Sequence, residues 1–346
     1  MSQEETILNF LLGIQQEYGG AIPFHRFMAE ALHHPRFGYY GAHIADVGAR
    51  GDFSTSATLS PRLGSAIASW ALARARERGW KRLPLVEIGA GSGELARTIL
   101  GQLGWFRRLR TDYFIVESSP VLRARQEHLL GRLGVRWHDS MGAALEALGG
   151  RALIFSNELV DAFPCKLFEK SPEGWSELGV RLSAEGGLSE CFVGEKLDNP
   201  WFGKLGHLPT GQRVERHDSY DEWLNSWAAS WREGSLLTID YGDLAQDLYT
   251  HSPAGSLRGY WKHRRLTGRD VYSRFGKQDL TADVNFSDLM DWGLQAGWRT
   301  LQFTTQREFL QTWCRKSSES AEKEGILDSP QGAGGAFKVL EQVPEC

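Results

Sequence analysis

Cysteine is scarce in this chain: four residues in 346, at Cys165, Cys191, Cys314 and Cys346, with no CxxC pair. That spacing indicates neither a zinc site nor a disulfide framework, and free thiols with no metal site are the expectation. Long apolar runs are also missing. No stretch reaches the roughly 18 apolar residues that a membrane-spanning helix needs. Neither sign of charge dominates: 39 Lys and Arg stand against 43 Asp and Glu, a net −4 with a pI near 6.2. The chain therefore lacks the overall basic footprint of a non-specific nucleic-acid binder, and no nucleic-acid partner is expected. Arginine-rich stretches at 106–110 and 262–269 still leave room for a local basic face. The first twenty residues, MSQEETILNFLLGIQQEYGG, are acidic and then amphipathic. They have neither the basic start of a secretory signal nor the acid-poor, Arg-rich look of a transit peptide, so a cytoplasmic protein is expected.

What is present is an ordinary globular balance, 41% hydrophobic and 24% charged, in a chain long enough for a large core plus a smaller substrate-binding part. Residues 4–18 and 24–32 read as helices, the first with Ile7, Leu8, Leu11, Leu12 and Ile14 on one face, the second opened by Pro23. A loop from Phe37 to Ser56, rich in Gly, Asp, Ser and Thr, comes before a helix over about 61–78; loops this long are usually functional or disordered, and aromatics argue against disorder. From Leu83 apolar runs alternate with helical patterns: LPLVEIG, DYFIVES, VRWHD, ALIFSN, SLLTIDYG, WRTLQFTTQ and finally AFKVLEQ. Buried runs without polar alternation in such a rhythm predict an α/β fold with a doubly wound, mostly parallel, seven-stranded sheet. We expect residues 1–80 to hold the N-terminal helices and a covering loop, and 81–346 the core. Insertions at about 165–218 and 243–284 break the rhythm, the first with short strands suited to antiparallel hairpins. A helix over 219–232 would carry Trp223, Trp227 and Trp231 on one packed face.

The sharpest motif is Glu87-Ile88-Gly89-Ala90-Gly91-Ser92-Gly93, between the first core strand and the next helix. Glycines there permit positive φ and close approach of a ligand, and open α/β sheets bind ligands at this edge. The spacing is GxGxG, unlike the GxGxxG of dinucleotide folds. It counts against an NAD-dependent oxidoreductase and suits a ligand without a pyrophosphate, such as S-adenosylmethionine (SAM). Glu117 ends the second strand, where a carboxylate can accept from both ribose hydroxyls. His138 and Asp139 follow the third strand, at a place suited either to gripping an adenine or to an exposed polar turn. The fourth strand ends in Asn157, Glu158 and Asp161. Carboxylates crowded at the carboxyl end of a strand can hold a cationic nucleophile or simply cap a helix. The second insertion adds Arg258, Tyr260, His263, Asp279 and Asp283; its two aspartates would form either an acidic rim or solvated loop charge.

FMAEALHHPRFGYY, GDFSTS, EIGAGSG, VESSP, SNELVDAFP, LRGYWKH, QDLTADVNFSDL and FTTQREFL stand in this order between about Phe27 and Leu310. As a set they resemble the MidA-type methyltransferases, the family of the mitochondrial complex I assembly arginine methyltransferase. The resemblance implies a class I SAM-methyltransferase core. It implies that Gly51, Asp52, Phe53, Thr55 and Ser56 fold over the cofactor and that Asn157, Glu158 and Asp161 face the transfer site. It also implies a protein substrate, with a respiratory-complex subunit as the family precedent; a homodimer is compatible. The chain departs from the family at Ala90, where a proline is usual, and at Arg274-Phe275-Gly276-Lys277, where Asn-Pro-Gly often precedes Gln-Asp-Leu-Thr. The expected function is methyl transfer to a protein arginine, with Glu158 gripping the guanidinium. A catalytically silent assembly protein on the same scaffold is the rival.

Overall fold

A computed structural model describes residues 3–43, 61–184, 186–197, 199–262, 264–314 and 333–345. The chain divides into two compact units, one made of Met1–Ala45, Val160–Tyr220 and Leu244–Asn285, the other of Asp46–Leu159, Asp221–Asp243 and Phe286–Cys346.

The second of these units is built on the alternating apolar runs. Its elements in order are α1 (Arg62–Glu77), β1 (Leu83–Ile88), α2 (Glu94–Arg108), β2 (Thr111–Val116), α3 (Pro120–Leu130), β3 (Val135–His138), α4 (Met141–Ala147), β4 (Arg151–Asn157), β5 (Glu233–Asp243), α5 (Phe286–Gln295), β6 (Trp298–Thr305), α6 (Gln306–Trp313) and β7 (Phe337–Pro344). The strands lie in the order β6-β7-β5-β4-β1-β2-β3. The five from β3 to β5 are mutually parallel, and β7 runs antiparallel between β5 and β6. This is the expected class of sheet, with a class I methyltransferase-like order. Leu85, Ile115, Leu153, Phe155, Leu237 and Ile239 fill its middle, with α1 and α2 contributing Ile67, Trp70, Ile99 and Leu100 to the same core. Strands buried on both faces need no alternation, which is why their sequences read as unbroken apolar runs. One buried acid interrupts this core: Glu341 on β7 accepts from the Trp70 indole at 3.0 Å and from Arg74 at 2.8 Å through both oxygens, so its charge is paired and hydrogen-bonded.

The tryptophan stripe departs from expectation. The α-helix ends at Asn225, and a 3₁₀ turn covers Ala228–Ser230. Ser226 Oγ donates to the Trp223 carbonyl at 2.6 Å, a local bond that competes with helix continuation. The break frees Trp231 to donate its indole N–H to the Ala152 carbonyl at 3.1 Å and to pack against Trp298 at 5.0 Å between ring centroids.

The other unit carries antiparallel sheet, as the short Gly- and Ser-bounded segments suggest. Gly174–Leu182 pairs with Lys166–Ser171, Leu188–Leu197 and Ile22–Pro23, and Lys166–Ser171 pairs with Arg213–Arg216. A three-stranded sheet joins Arg258–Trp261 to Arg264–Leu266 and Asp279–Thr281. The helices Gln3–Glu17 and Phe24–His33 belong to this unit. Ile7, Leu11 and Ile14 of the first are buried, and Gln15 Oε1 accepts from the Leu182 amide. Among the described residues no helix is long and apolar enough to cross a membrane.

Candidate active site

Register brings the predicted residues to one edge of the parallel sheet. One row runs Ile88, Val116, His138, Ser156 and Thr238 across five strands. Gly89, Glu117, Asp139 and Asn157 stand one residue beyond that row, and Glu158 and Asp240 two. Parallel strands present their carboxyl ends on one side, so residues that lie up to about 150 positions apart in sequence converge there.

The glycine turn has the conformation its composition suggests: φ is +66° at Gly89, +53° at Gly91 and +82° at Gly93, which directly precedes α2. A side chain at Gly89 would be strained by its backbone conformation and would displace Leu159. Its φ disfavours L-residues, and its Cβ would meet Leu159 Cδ1 at 2.7 Å. Behind the turn, Glu87 is buried and accepts from Tyr113 Oη at 2.7 Å. Burial raises its pKa to about 7 despite that bond, and the nearby Glu117 carboxylate adds to the rise. The native state thus binds the Glu87 proton more tightly than the unfolded chain, whose carboxyl titrates near 4.5. Its stabilising effect is complete below pH 4.5 and is lost as pH rises to about 7, a fall of about 3 kcal/mol. Denaturant unfolding between pH 4 and 8 is expected to show this decline, and Glu87→Gln is expected to flatten it; a parallel decline in the variant would remove Glu87 as its source.

Glu117 is buried at the end of β2. Its Oε1 accepts from the Ser119 amide and its Oε2 from Gln126 Nε2, both at 2.9 Å. Desolvation raises its pKa, opposed by these donors and by the Ser118 amide. Three donors leave one of about four lone-pair positions for a ligand hydroxyl. Gln126, on α3 and without exposure, was not anticipated. It also donates to the Gly91 carbonyl at 2.9 Å and accepts from Trp137 Nε1 at 3.1 Å. One amide thereby ties the glycine turn, the acid and the third strand. His138 stacks on Phe114 at 4.6 Å, and burial, with Arg136 nearby, lowers its pKa. The Asp139 side chain is turned outward, 89% exposed, and pairs with Arg123 at 2.6 Å.

Asn157 ends β4 and donates Nδ2–H to Glu158 Oε1 at 3.0 Å. Glu158 has φ +54°, and its amide donates to the Ile239 carbonyl at 2.9 Å. Tyr241 Oη lies 3.5 Å from Glu158 Oε2, and buried Asp240 accepts from the Leu159 amide at 3.1 Å. Asp240 and Tyr241 were missed by sequence reasoning. They sit within β5, whose pairing with β4 sets them beside Glu158.

Asp161 lies in the other unit. It is buried, its pKa raised by burial, and it accepts from Thr281 Oγ1 at 2.8 Å. Asp279 is buried beside Tyr40, whose hydroxyl donates to it at 2.9 Å. Burial and the neighbouring Asp161 charge push Asp279 to about 7. This corrects the acidic rim: Asp279 is a buried acid, and Asp283 is engaged by Arg258 at 2.6 Å. Arg258 also donates to Tyr260 Oη at 3.1 Å. Gly51, Asp52, Phe53, Thr55, Ser56 and His263 lie outside the described residues.

The edge of the core unit fits SAM on two observations. Glu117 is a buried carboxylate with acceptor capacity left for a ribose, and Gly89, at φ +66°, holds a backbone conformation that favours glycine and bares the turn.

Comparison with known proteins bears on the same assignment. Residues 66–304 match the family described as "Putative S-adenosyl-L-methionine-dependent methyltransferase". The chain is 29% identical over 310 residues to the protein arginine methyltransferase NDUFAF7 homolog, mitochondrial, of Caenorhabditis elegans, covering 78% of this chain and 68% of that one. It is 26% identical over 376 residues to the mouse protein arginine methyltransferase NDUFAF7, mitochondrial, covering 94% and 81%. A Burkholderia thailandensis protein crystallised with S-adenosylhomocysteine superposes with a TM-score of 0.84 at 28% identity, over 99% of this chain and 92% of that one. The expected cytoplasmic location is corrected by these relatives, which are mitochondrial by name. The amphipathic first helix reports a face packed within its own unit, so its composition carries no address. The oxidoreductase alternative falls with the family match. A match over residues 66–304, more than half of the chain, on the fold and edge described above places the chain in this family of SAM-dependent methyltransferases.

Proposed function

We propose that the chain methylates a guanidinium nitrogen of an arginine in a protein substrate. The observation that carries this reading is Glu158: a carboxylate at the carboxyl edge of β4, held in a left-handed backbone conformation between Asn157 and Tyr241. A strained residue that its surroundings keep in place is a candidate for function. The relatives named protein arginine methyltransferases support the substrate class.

When bound, SAM supplies a methyl group whose bond to sulfur breaks as the bond to nitrogen forms. The chain's own task is alignment, which governs an in-line displacement. Arginine stays charged in proteins and its nitrogens are weak nucleophiles. Glu158 can accept two parallel N–H bonds from the guanidinium, fixing its plane and drawing positive charge away from the nitrogen left free. As the methyl arrives the guanidinium must shed one proton, and Glu158 can take it from one of the two N–H groups it grips. Asn157 holds one Glu158 oxygen, so the pair acts as one unit. Glu117 binds the ribose and the glycine turn admits the amino-acid end.

The test is incubation with methyl-labelled SAM and a protein extract, followed by mass spectrometric localisation of the label. Label on arginine nitrogens is expected. Enzyme-dependent label confined to other residue types would overturn the substrate class. The resemblance makes a respiratory-complex subunit the first substrate to try.

A further inference from the structure

The opposite edge of the core sheet carries an unusual surface. Helix α2 is interrupted at Gly104, with φ +69° and ψ +168°, and the next residues turn outward. Trp105 is 60% exposed, Phe106 79% and Leu109 59%. The two rings pack edge to face at 4.7 Å and leave their outer faces in water. Single exposed apolar residues are ordinary, but three within five positions form a patch.

Cations surround it. Arg107, Arg108 and Arg110 follow in sequence, and an open hollow beside Phe106, about 640 Å³, is lined by Arg76, Lys81, Arg82, Arg107 and Arg110. Arg82 pairs with Asp112. Among the described residues no carboxylate lies within ion-pair distance of Arg76, Lys81, Arg107, Arg108 or Arg110. The chain as a whole is acidic, so this concentration of uncompensated positive charge is local. Leu83 and Thr111, which begin β1 and β2, line the hollow. The patch therefore lies at the amino ends of the strands, about 20 Å of strand away from the glycine turn.

We propose that this aromatic-basic patch docks the protein on an anionic phospholipid surface. Indole and phenyl rings favour the headgroup boundary, and arginines close by are attracted to the negative leaflet. Five uncompensated cations match headgroup phosphates. Trp105, Phe106 and Leu109 form a tip that the protein leaves in water at the cost of about 25 cal/mol for each Å² of apolar area. An occupant on this edge leaves the carboxyl edge of the same sheet open to SAM and substrate. The exposed apolar cluster of Trp105, Phe106 and Leu109 favours a bilayer over RNA, whose affinity scales with the number of phosphates neutralised and uses the cations alone.

The test is flotation of the full chain with vesicles of phosphatidylcholine alone and with about one third phosphatidylglycerol. Binding to the anionic vesicles, released by salt, with none to neutral ones, is expected. R107Q/R110Q is expected to lower the partition coefficient about 30-fold, equal to about 2 kcal/mol at 1.4 kcal/mol per decade. W105S/F106S should lose binding at any salt. Both variants touch no group at the glycine edge and should bind SAM as the wild type does, which shows that they fold. Three outcomes would overturn the proposal: no anionic-vesicle binding by the wild type, wild-type binding by both variants, or capture of RNA or an acidic peptide through these residues with vesicles ignored.

Discussion

Replacing Glu158 by glutamine is expected to lower methyl transfer by about 10²- to 10⁴-fold, the usual contribution of a positioned charged group at a reacting centre, while SAM affinity stays within about twofold. The amide keeps one oxygen for the Asn157 Nδ2 bond, so the loop is still held. What it loses is the charge and the second acceptor, and with them the two-point grip on a guanidinium. Isothermal titration with SAM and turnover on the labelled substrate separate the two effects. Turnover at the wild-type level would end the proposed role of Glu158.

Glu158→Gly adds a control of opposite sign. A left-handed L-residue costs roughly 1–2 kcal/mol, and the added unfolded-state freedom of glycine returns only about 0.5–1 kcal/mol. The glycine variant should therefore melt no lower than the wild type and yet be inactive. Stability and activity pull apart at a strained functional residue, whereas a purely structural glutamate would lose both together. Thermal unfolding of the two variants side by side decides between these.

The sheet was legible because it is parallel. Strands such as Leu83–Ile88 and Arg151–Asn157 are buried on both faces and appear as apolar runs closed by glycine or a polar cluster. The edge positions were legible for a related reason: whatever follows such a run must emerge at the ligand edge, and Gly89, Glu117 and Glu158 were found that way. What stayed hidden depends on tertiary pairing. Tyr241 reaches Glu158 across 83 positions, through a register that no local pattern encodes. The tryptophans at 223, 227 and 231 imitate a helical stripe, but the chain unwinds between them so that Trp231 can reach the carbonyl of Ala152. The buried state of Asp279 likewise comes from its neighbours Tyr40 and Asp161, since a charged residue in an irregular segment reads as solvated.

Gln126 left a trace that composition alone does not weigh. Leu122, Gln126 and Leu130 form the buried i, i+4, i+8 stripe of α3, and the polar member of an apolar stripe must have partners. Its partners are Glu117, Gly91 and Trp137. The expected consequence couples the two residues. Glu117→Ala removes a charged acceptor for a ribose hydroxyl, a bond worth about 1.5–3 kcal/mol, and should weaken SAM binding about 100-fold. Gln126→Leu leaves Glu117 in place but unsupported, and should weaken binding about tenfold.

The pH profile tells support from simple damage. On the proposed role of Glu117, SAM binding requires its carboxylate ionised, so affinity is expected to fall as pH drops through its pKa. Burial already raises that pKa, and the Gln126 donor holds it down. Removing the donor moves the fall in affinity to higher pH, and Glu117→Ala abolishes the fall. Glu87, titrating at about 7 beside Glu117, and His138 at the same edge would blur the profile, so the comparison belongs in a Glu87→Gln background with His138 unchanged throughout. A Gln126→Leu protein whose SAM affinity drops with an unmoved midpoint would make Gln126 a packing residue; one whose midpoint climbs would show an amide tuning the acid that holds the sugar.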